Sequence, residues 1–232
     1  MNAGVPGLRE RIEAVRDAIS RAAKRSGRAA EAVRLIGAVK TVTAETVREA
    51  VALGLEDLGE NRVQEAEAKI AVVGRKAARW HMIGHVQRNK AGRVAESFDW
   101  VHGVDAIATA RAIARRADEA GHALPTLIEV NVSAEASKFG VRPSDLEPLL
   151  SEARQLRGLE VRGLMTVGRP VQKAEQARAD FARLRDLAAT ASSRLGLALT
   201  ELSMGMSDDF EVAVEEGATM VRVGTAIFGR RS

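Results

Sequence analysis

Short apolar segments alternate with longer amphipathic segments along the chain. The apolar segments have the length of buried strands, and the amphipathic ones repeat apolar residues every three or four positions, as helices do. The pattern predicts strands at 34–39, 56–60, 79–84, 100–104, 124–132, 159–167, 200–204 and 219–224. It predicts helices at about 6–26, 44–53, 61–73, 88–97, 105–120, 144–156, 171–194 and 208–217.

This order of elements predicts a closed barrel. Strands that alternate with helices form a parallel sheet, and eight such units, the last with only a short tail, close into a (β/α)8 TIM barrel. No linker divides the chain, so 1–232 is expected to form a single barrel domain, with an extra N-terminal helix within 1–30 packed on it. The main alternative is an open doubly wound sheet. No GxGxxG motif follows the first strand, which disfavours a dinucleotide-binding version of it.

The composition is that of an ordinary globular protein. Hydrophobic residues make up 46% of the 232 residues and charged residues 28%. No run of eighteen apolar residues predicts a membrane span, and the N-terminus lacks the apolar region of a secretory signal, so a cytoplasmic protein is expected. The chain has no cysteine, which excludes disulfides, thiolate catalysis and cysteine metal sites.

A net charge of +4 and an isoelectric point of about 9.8 raise the question of nucleic-acid binding. The basic residues mostly alternate with acidic ones along the predicted helices, which is typical of solvated helix faces. Aromatic residues make up only 3% and tyrosine is absent, so platforms for stacking bases are scarce. The composition therefore disfavours a nucleic-acid partner and indicates only a general attraction for anions such as phosphates.

Polar side chains stand at the predicted carboxyl ends of the strands, where TIM barrels carry their sites. They provide an amine, a guanidinium, amides and hydroxyls beside several glycines. The positions are Lys40, Glu60, Asn61, Gly84, His85, Asn131, Thr166, Ser203, Gly205, Arg222, Gly224 and Thr225. No quartet of metal ligands is evident among them, so no metal site is predicted.

The last strand end indicates a phosphate site. In "VRVGTAIFGRR" the strand ends in Gly224 and Thr225, and barrel enzymes often bind phosphate with the loops after strands seven and eight. Gly224 would let the backbone approach phosphate oxygens, Thr225 would donate a hydroxyl, and Ser203 on strand seven would face the same group. Ordinary barrel turns built from small residues are the alternative.

Lys40 ends the apolar stretch "LIGAVKT" at 35–41. It is either a solvated strand end or a reactive amine at the barrel mouth. Beside a phosphate site and Arg222, an amine indicates a phosphorylated aldehyde held as a Schiff base. Pyridoxal phosphate fits, because its aldehyde and its phosphate lie on opposite sides of one flat ring.

Several long segments resemble the pyridoxal-phosphate homeostasis family, whose fold resembles the barrel domain of alanine racemase. They cover nearly the whole chain: "VKT" at 39–41, "GENRVQEAEAK" at 59–69, "WHMIGHVQRNK" at 80–90, "NVSAEASKFGV" at 131–141, "VRGLMTV" at 161–167 and "LSMGMSDDFEVAVEEGATMVRVGTAIFGRR" at 202–231. The resemblance implies pyridoxal phosphate as the cofactor, with an internal aldimine on Lys40. The other implied contacts are Asn61 to the cofactor, Arg222 to the pyridine nitrogen, and Ser203, Gly224 and Thr225 to the phosphate.

Two positions beside Lys40 depart from the family pattern. Family members commonly carry serine or threonine before this lysine and proline shortly after it, whereas this chain has Val39 and Thr43. Both lie beside the lysine without replacing it. The departures therefore bear on the affinity for the cofactor and not on binding itself.

The same residues favour binding over catalysis. An arginine stays charged and only donates, so it leaves the pyridine nitrogen unprotonated and weakens the cofactor as an electron sink. Alanine racemase compensates with a tyrosine base on the second face, but this chain has no tyrosine, and a second domain is not expected. His81 and His85 are interpreted as a packed and a solvent-exposed histidine. No catalytic residue is therefore assigned.

The expected role is a carrier or buffer of pyridoxal phosphate held on Lys40. Apo-enzymes that use this cofactor are the expected recipients, and Lys138 is either a transient acceptor of the aldehyde or a surface lysine. A weak amino-acid racemase or lyase is the alternative from another class, and an RNA-associated basic protein is the third. A monomer or weak homodimer without a nucleic-acid or membrane partner is expected.

Overall fold

The computed structural model describes residues 6–133, 135, 138–169 and 171–229. The strands formed by these residues are β1 (Arg34–Ala38), β2 (Asp57–Glu60), β3 (Arg79–His85), β4 (Trp100–Val104), β5 (Leu124–Glu129), β6 (Leu159–Met165), β7 (Glu201–Ser203) and β8 (Met220–Val223). The α-helices are α1 (Leu8–Arg25), α2 (Ala44–Ala52), α3 (Val63–Val73), α4 (Ala91–Ser97), α5 (Ile107–Glu119), α6 (Leu146–Ala153), α7 (Arg178–Leu195), α8 (Phe210–Glu215) and α9 (Thr225–Phe228).

The strands form a closed parallel barrel. Each strand pairs with the next one in the chain, and β8 pairs with β1. The predicted (β/α)8 barrel is therefore confirmed, and the open doubly wound alternative is wrong. Parallel order brings all the carboxyl ends of the strands to one mouth of the barrel.

Two element boundaries differ from the sequence pattern for a physical reason. The apolar run at 124–132 continues past the end of β5 at Glu129, because Val130 leaves the ladder to form an isolated bridge with Val141. The amphipathic segment from 171 begins its α-helix only at Arg178, after a 3-10 turn over Ala174–Ala177. Apolar periodicity alone does not reveal either change of backbone geometry.

The N-terminal helix packs on the outside of the barrel. One face of α1 is buried, including Leu8, Ile12, Val15 and Ile19, and it lies against α8 and α9. Helix α1 thus covers helices next to the end of β8, as the amphipathic pattern predicts. No described helix combines the length and the apolar character needed to cross a bilayer.

The apolar core lies mainly between the strands and the surrounding helices. Inside the barrel, a small separate cluster joins Ile36, Leu127, Met165 and Met220. Side chains alternate between the two faces of a strand, so the position two residues after Met220, Arg222, also faces the interior. The upper interior of the barrel is polar for this reason, and it leads directly to the mouth.

Candidate cofactor site at the barrel mouth

A cavity of about 260 Å³ opens at the carboxyl ends of the strands. Its lining residues are Ala38, Lys40, Asn61, Ile83, Val167, Met206, Ser207, Asp208, Arg222, Gly224 and Thr225. Five of the six predicted site residues are therefore brought together, although they come from three different strand ends. Ser203 is the exception and does not line the cavity.

Lys40 lies in a turn directly after β1, and its side chain is exposed at the cavity. The next residue, Thr41, has φ of +70° and is the single non-glycine residue with a positive φ in the described ranges. A left-handed conformation is costly for a β-branched residue and is found where the surrounding structure enforces it, often at functional sites. The backbone around Lys40 is thus held in a specific conformation.

A buried ion pair holds this backbone from below. Lys69 of α3 donates to the carbonyl oxygen of Val39 at 2.7 Å and pairs with the Glu60 carboxylate at the end of β2. The side chains of Lys69 and Glu60 are only 9% and 0% exposed. Glu60 also accepts from the backbone N–H of Asn61 at 3.2 Å. The pair therefore ties together the strand ends that carry Lys40 and Asn61.

Arg222 is buried at the floor of the cavity. Its Nη1 donates to Ser203 Oγ at 2.6 Å, and its Nη2 donates to the carbonyl oxygen of Thr166 at 2.8 Å. Burial lowers the pKa of Arg222 to about 10, with the negative charges of Glu129 and Asp209 acting in the opposite direction. The guanidinium remains charged at neutral pH and can only donate hydrogen bonds.

Ser203 has a different role from the one expected. It is fully buried below the cavity, where it accepts from Arg222 and lies 2.9 Å from His102 Nδ1. The expected phosphate contact does not fit this position, because β7 ends at Ser203 and its side chain points into the barrel. Ser203 instead anchors the guanidinium of Arg222.

A hydrogen-bonded chain continues from Ser203 through the barrel interior. His102 Nε2 lies 3.0 Å from His81 Nδ1, and His81 Nε2 lies 2.8 Å from Asp57 Oδ1. Both histidines are fully buried. Asp57 accepts two further bonds from Arg79, at 2.8 and 2.7 Å. His81 is therefore not merely packed, as the sequence suggested, but links two strands through its ring nitrogens.

The charges along this chain fix where its protons lie. Burial acts to raise the pKa of Asp57, but hydrogen bonds from Arg79 and His81 outweigh it and bring the pKa to about 2. Burial lowers the pKa of His81 and lowers that of His102 well below its usual value, so both rings are neutral. The ionised carboxylate only accepts, so His81 donates from Nε2 and accepts at Nδ1.

The remaining bonds follow in order. His102 donates from Nε2 to His81 and accepts at Nδ1, so the Ser203 hydroxyl donates to His102. The Ser203 oxygen is then free to accept from Arg222. Every donor from Arg222 to His81 points from the cavity at the barrel mouth toward the opposite opening of the barrel.

The loop after β7 supplies a serine that the sequence analysis missed. Ser207 Oγ accepts from the backbone N–H of Gly224 at 3.1 Å and from that of Ala226 at 3.3 Å. These two amides therefore converge on one oxygen atom, as they would on a phosphate oxygen. The loop is fixed by Asp209, whose Oδ1 accepts from the N–H of Met206 at 2.6 Å. The available signal was the run of small and acidic residues in "GMSDD" at 205–209.

Two other expectations on side chains also changed. His85 is not solvent-exposed but about 28% exposed, and its ring stacks on Phe139 at a centroid distance of 4.0 Å. Lys138 is only 19% exposed and pairs with Glu135 at 3.0 Å, so it is not a freely solvated loop lysine. Lys138 does not line the cavity that contains Lys40.

Comparison with known proteins supports this description of the fold. Residues 12–232 match the family model described as "Alanine racemase, N-terminal domain". The chain is 44% identical over 224 residues to the "Pyridoxal phosphate homeostasis protein" of Pseudomonas aeruginosa, which covers 97% of this chain and 96% of the relative. The chain belongs to the pyridoxal phosphate homeostasis protein family.

Other members of the pyridoxal phosphate homeostasis protein family are similar over the same length. The Aquifex aeolicus member is 40% identical over 222 residues, covering 96% of this chain and 97% of the relative. The structure of PipY from Synechococcus elongatus PCC7942, described with PLP bound, has a TM-score of 0.85 and 38% identity, and the alignment covers 96% of this chain and 100% of PipY. Alanine racemase of Clostridium difficile 630 has a TM-score of 0.72 at 14% identity, which shows the shared fold alone.

Proposed function

We propose that this protein binds pyridoxal phosphate reversibly at the barrel mouth and acts in the homeostasis of this cofactor. The observation that carries the proposal is that Lys40, Arg222, Ser207 and Gly224 line one cavity. The amides of Gly224 and Ala226 converge there on the hydroxyl oxygen of Ser207. An amine, a cationic donor and an oxygen-binding turn are the groups that an aldehyde, an aromatic nitrogen and a phosphate require. PipY, a solved relative, is described with PLP bound.

Each residue has a separate task in this proposal. The Lys40 amine would hold the aldehyde through a reversible covalent link that releases water when it forms. Arg222 donates to the ring nitrogen, while Ser203 and the carbonyl of Thr166 hold its guanidinium in place. The hydroxyls of Ser207 and Thr225, with the backbone at Gly224, bind the phosphate. Ser207 thus replaces Ser203 in the phosphate role that the sequence analysis expected.

We also propose that binding proceeds without catalytic turnover. Pyridoxal phosphate supplies electron-withdrawing chemistry when bound, and this chemistry is strongest when its ring nitrogen is protonated. Arg222 remains charged and can only donate to that nitrogen, so it does not supply the hydrogen-bond acceptor that a protonated nitrogen would need. The chain contains no tyrosine to act as a base on the second face. Weak amino-acid racemase activity is the alternative that the assay below distinguishes.

The first experiment tests the covalent site. Purified protein is mixed with pyridoxal phosphate, the visible absorption is recorded, and the complex is reduced with borohydride before the labelled peptide is mapped. A band that is fixed by reduction onto Lys40 supports the proposal, and it should be absent in Lys40→Ala but retained in Lys24→Ala, which removes an exposed lysine on α1. A label found elsewhere in the wild-type protein would refute the assignment.

A second experiment separates a carrier from an enzyme. The loaded protein is incubated with an apo-enzyme that uses the cofactor, and recovery of that enzyme's activity is compared with recovery in free pyridoxal phosphate. Transfer without measurable turnover of D- or L-alanine supports a carrier, whereas steady racemisation that disappears in Lys40→Ala supports the enzyme. Unchanged transfer in Lys138→Ala would remove Lys138 as a transient acceptor.

The proposed surroundings follow the same role. A carrier would act on free cofactor and on apo-enzymes in the cytoplasm, as a monomer or weak homodimer. No nucleic acid or membrane is needed for this function.

A further inference from the structure

A second group of polar side chains lies at the barrel mouth, outside the cofactor cavity. His85 ends β3, Asp105 follows β4 and Glu129 ends β5. One ligand atom of each, either an imidazole nitrogen or a carboxylate oxygen, lies within 4.8 Å of the other two. None of the three lines the cavity that contains Lys40. Parallel order explains the cluster, because consecutive strands end side by side.

Glu129 is the most constrained member of this cluster. It is only 4% exposed, and its Oε2 atom is buried without a hydrogen-bond partner within the part of the chain that the structure describes. No described lysine or arginine forms an ion pair with Glu129 or with Asp105. A buried carboxylate with an unpartnered oxygen is costly unless a positive charge or a donor satisfies it.

His85 contributes a second unpartnered atom. Its buried Nδ1 lies 3.2 Å from Asp105 Oδ2, but the approach lacks hydrogen-bond geometry. Four buried side-chain atoms lack a partner in the described ranges, and two of them, Nδ1 of His85 and Oε2 of Glu129, belong to this cluster. Two unsatisfied polar atoms within one cluster of potential ligands indicate a missing partner for both.

The surroundings hold the ligands in place. The ring of Phe139 stacks on His85 with an interplanar angle of 10°, and the N–H of Gly140 donates to Asp105 Oδ2 at 3.2 Å. Gly140 has φ of +107°, and a Cβ there would lie 2.6 Å from the backbone nitrogen of Asn131. Such supporting contacts orient ligands in known metal sites.

We propose that His85, Asp105 and Glu129 bind a divalent first-row transition-metal ion, of which Zn²⁺ is the representative. One imidazole and two carboxylates are a frequent donor set for such ions, and three protein ligands leave a position for water. Metal–ligand bonds of about 2.0–2.2 Å require the three side chains to move closer together from their present separation, in which the ligand atoms lie within 4.8 Å of one another. The ion would neutralise two acidic groups that form no ion pair with a described lysine or arginine.

The test uses the full chain after removal of metals by a chelator. Zn²⁺ is titrated against a competing chromogenic chelator, and Co²⁺ is added separately to record its ligand-field spectrum. We expect one Zn²⁺ per chain, a Co²⁺ spectrum typical of mixed nitrogen and oxygen ligands, and binding of Mg²⁺ that is weaker by about a hundredfold or more, because the imidazole favours transition metals. Glu129→Gln and His85→Gln should each weaken Zn²⁺ binding by about tenfold or more.

Matched variants make the result specific. His122→Gln removes an exposed histidine next to the start of β5, and it should leave Zn²⁺ affinity unchanged. Lys40→Ala should also retain Zn²⁺, so a failure to bind pyridoxal phosphate and a failure to bind metal are distinguishable. If Glu129→Gln does not fold, the half-buried His85 provides the decisive variant. Absence of a one-to-one Zn²⁺ complex, or equal loss of affinity in His122→Gln and His85→Gln, overturns the proposal.

Discussion

Replacing Lys69 by methionine is expected to destabilise the protein and to weaken the cofactor site at the same time. The substitution keeps the length of the side chain but removes the ammonium group that pairs with Glu60 and donates to the carbonyl oxygen of Val39. The Glu60 side chain is 0% exposed, so it cannot recover its lost partner from bulk water. Lys40 follows Val39 directly, which connects this loss to the turn that carries the amine proposed to bind the aldehyde.

The size of the effect follows from the burial of the pair. Removing one partner of a buried ion pair costs about 3–5 kcal/mol, because the other charge is left uncompensated. That is a large part of a typical unfolding free energy of about 5–15 kcal/mol. Glu60→Gln removes the remaining charge and keeps an acceptor for the N–H of Asn61. The double variant Lys69→Met/Glu60→Gln should therefore recover about 1–3 kcal/mol relative to Lys69→Met alone.

The effect should also depend on pH. Burial raises the pKa of Glu60, and Lys69 acts in the opposite direction, so the substitution raises this pKa further. An acid whose pKa is higher in the folded state than in the unfolded state stabilises the fold at low pH, and this stability is lost as the pH rises through the folded-state value. The unfolding free energy of Lys69→Met should thus fall further below that of the wild type at pH 7.5 than at pH 5.5.

Urea unfolding followed by far-UV circular dichroism measures these differences, with Lys24→Met as a control at an exposed lysine of α1. Binding of pyridoxal phosphate, followed by visible absorption, should be weaker in Lys69→Met and unaffected in the control. If the losses of unfolding free energy in Lys69→Met and Glu60→Gln simply add in the double variant, the two residues do not interact. The argument from their burial is then refuted.

Three further substitutions test other parts of the structure. Asp57→Asn should lower the unfolding free energy by about 2 kcal/mol at neutral pH, since the pKa of Asp57 is about 2 instead of 3.8. The wild-type protein should lose the same contribution as the pH falls from about 4 to 2, which a series of urea titrations measures. Burial and then the charge of Asp105 raise the pKa of Glu129 to about 7. The unfolding free energy of the chelator-treated wild type should therefore fall by about 3 kcal/mol as the pH rises from about 4.5 to above 7. In Glu129→Gln this dependence of stability on pH should be absent. Gly84→Ala should destabilise the protein by about 1–3 kcal/mol and weaken cofactor binding, because the new Cβ would lie 2.6 Å from the carbonyl oxygen of Asn61. Thermal unfolding measures the first effect and the absorption titration the second. An unchanged affinity would contradict the assigned position of Asn61.

Much of the fold was predictable because its signals are local. Each strand is an apolar run and each helix an amphipathic one, and the regular alternation of the two leads to a barrel without knowledge of any contact. The ends of elements were less predictable. The end of β5 depends on a bridge between Val130 and Val141, which lie on separate segments.

The candidate site was predictable to the extent that it lies at strand ends. Lys40, Asn61, Arg222, Gly224 and Thr225 all line one cavity for this reason. The role of a serine near β7 depended instead on where that short strand stops.

Ser203 is the last residue of β7 and points into the barrel, whereas Ser207 lies in the loop beyond and accepts from the amides of Gly224 and Ala226, just after β8. Composition and spacing do not distinguish these two serines. The chain from Asp57 through His81 to His102 was equally hidden, because it joins residues of three strands through the barrel register.

That interior chain has a consequence for how uniquely the strands align. A slip of one residue in β2 would turn Asp57 outward toward the helices and leave His81 without its acceptor, while a slip in β4 would separate His102 from both neighbours. Apolar side chains tolerate such exchanges, since one can substitute for another of similar volume. A chain of hydrogen-bond donors that each have a single acceptor does not tolerate such exchanges. The polar interior therefore selects one alignment of the barrel over its near neighbours, a contribution to specificity that the small apolar cluster around Ile36 would not make by itself.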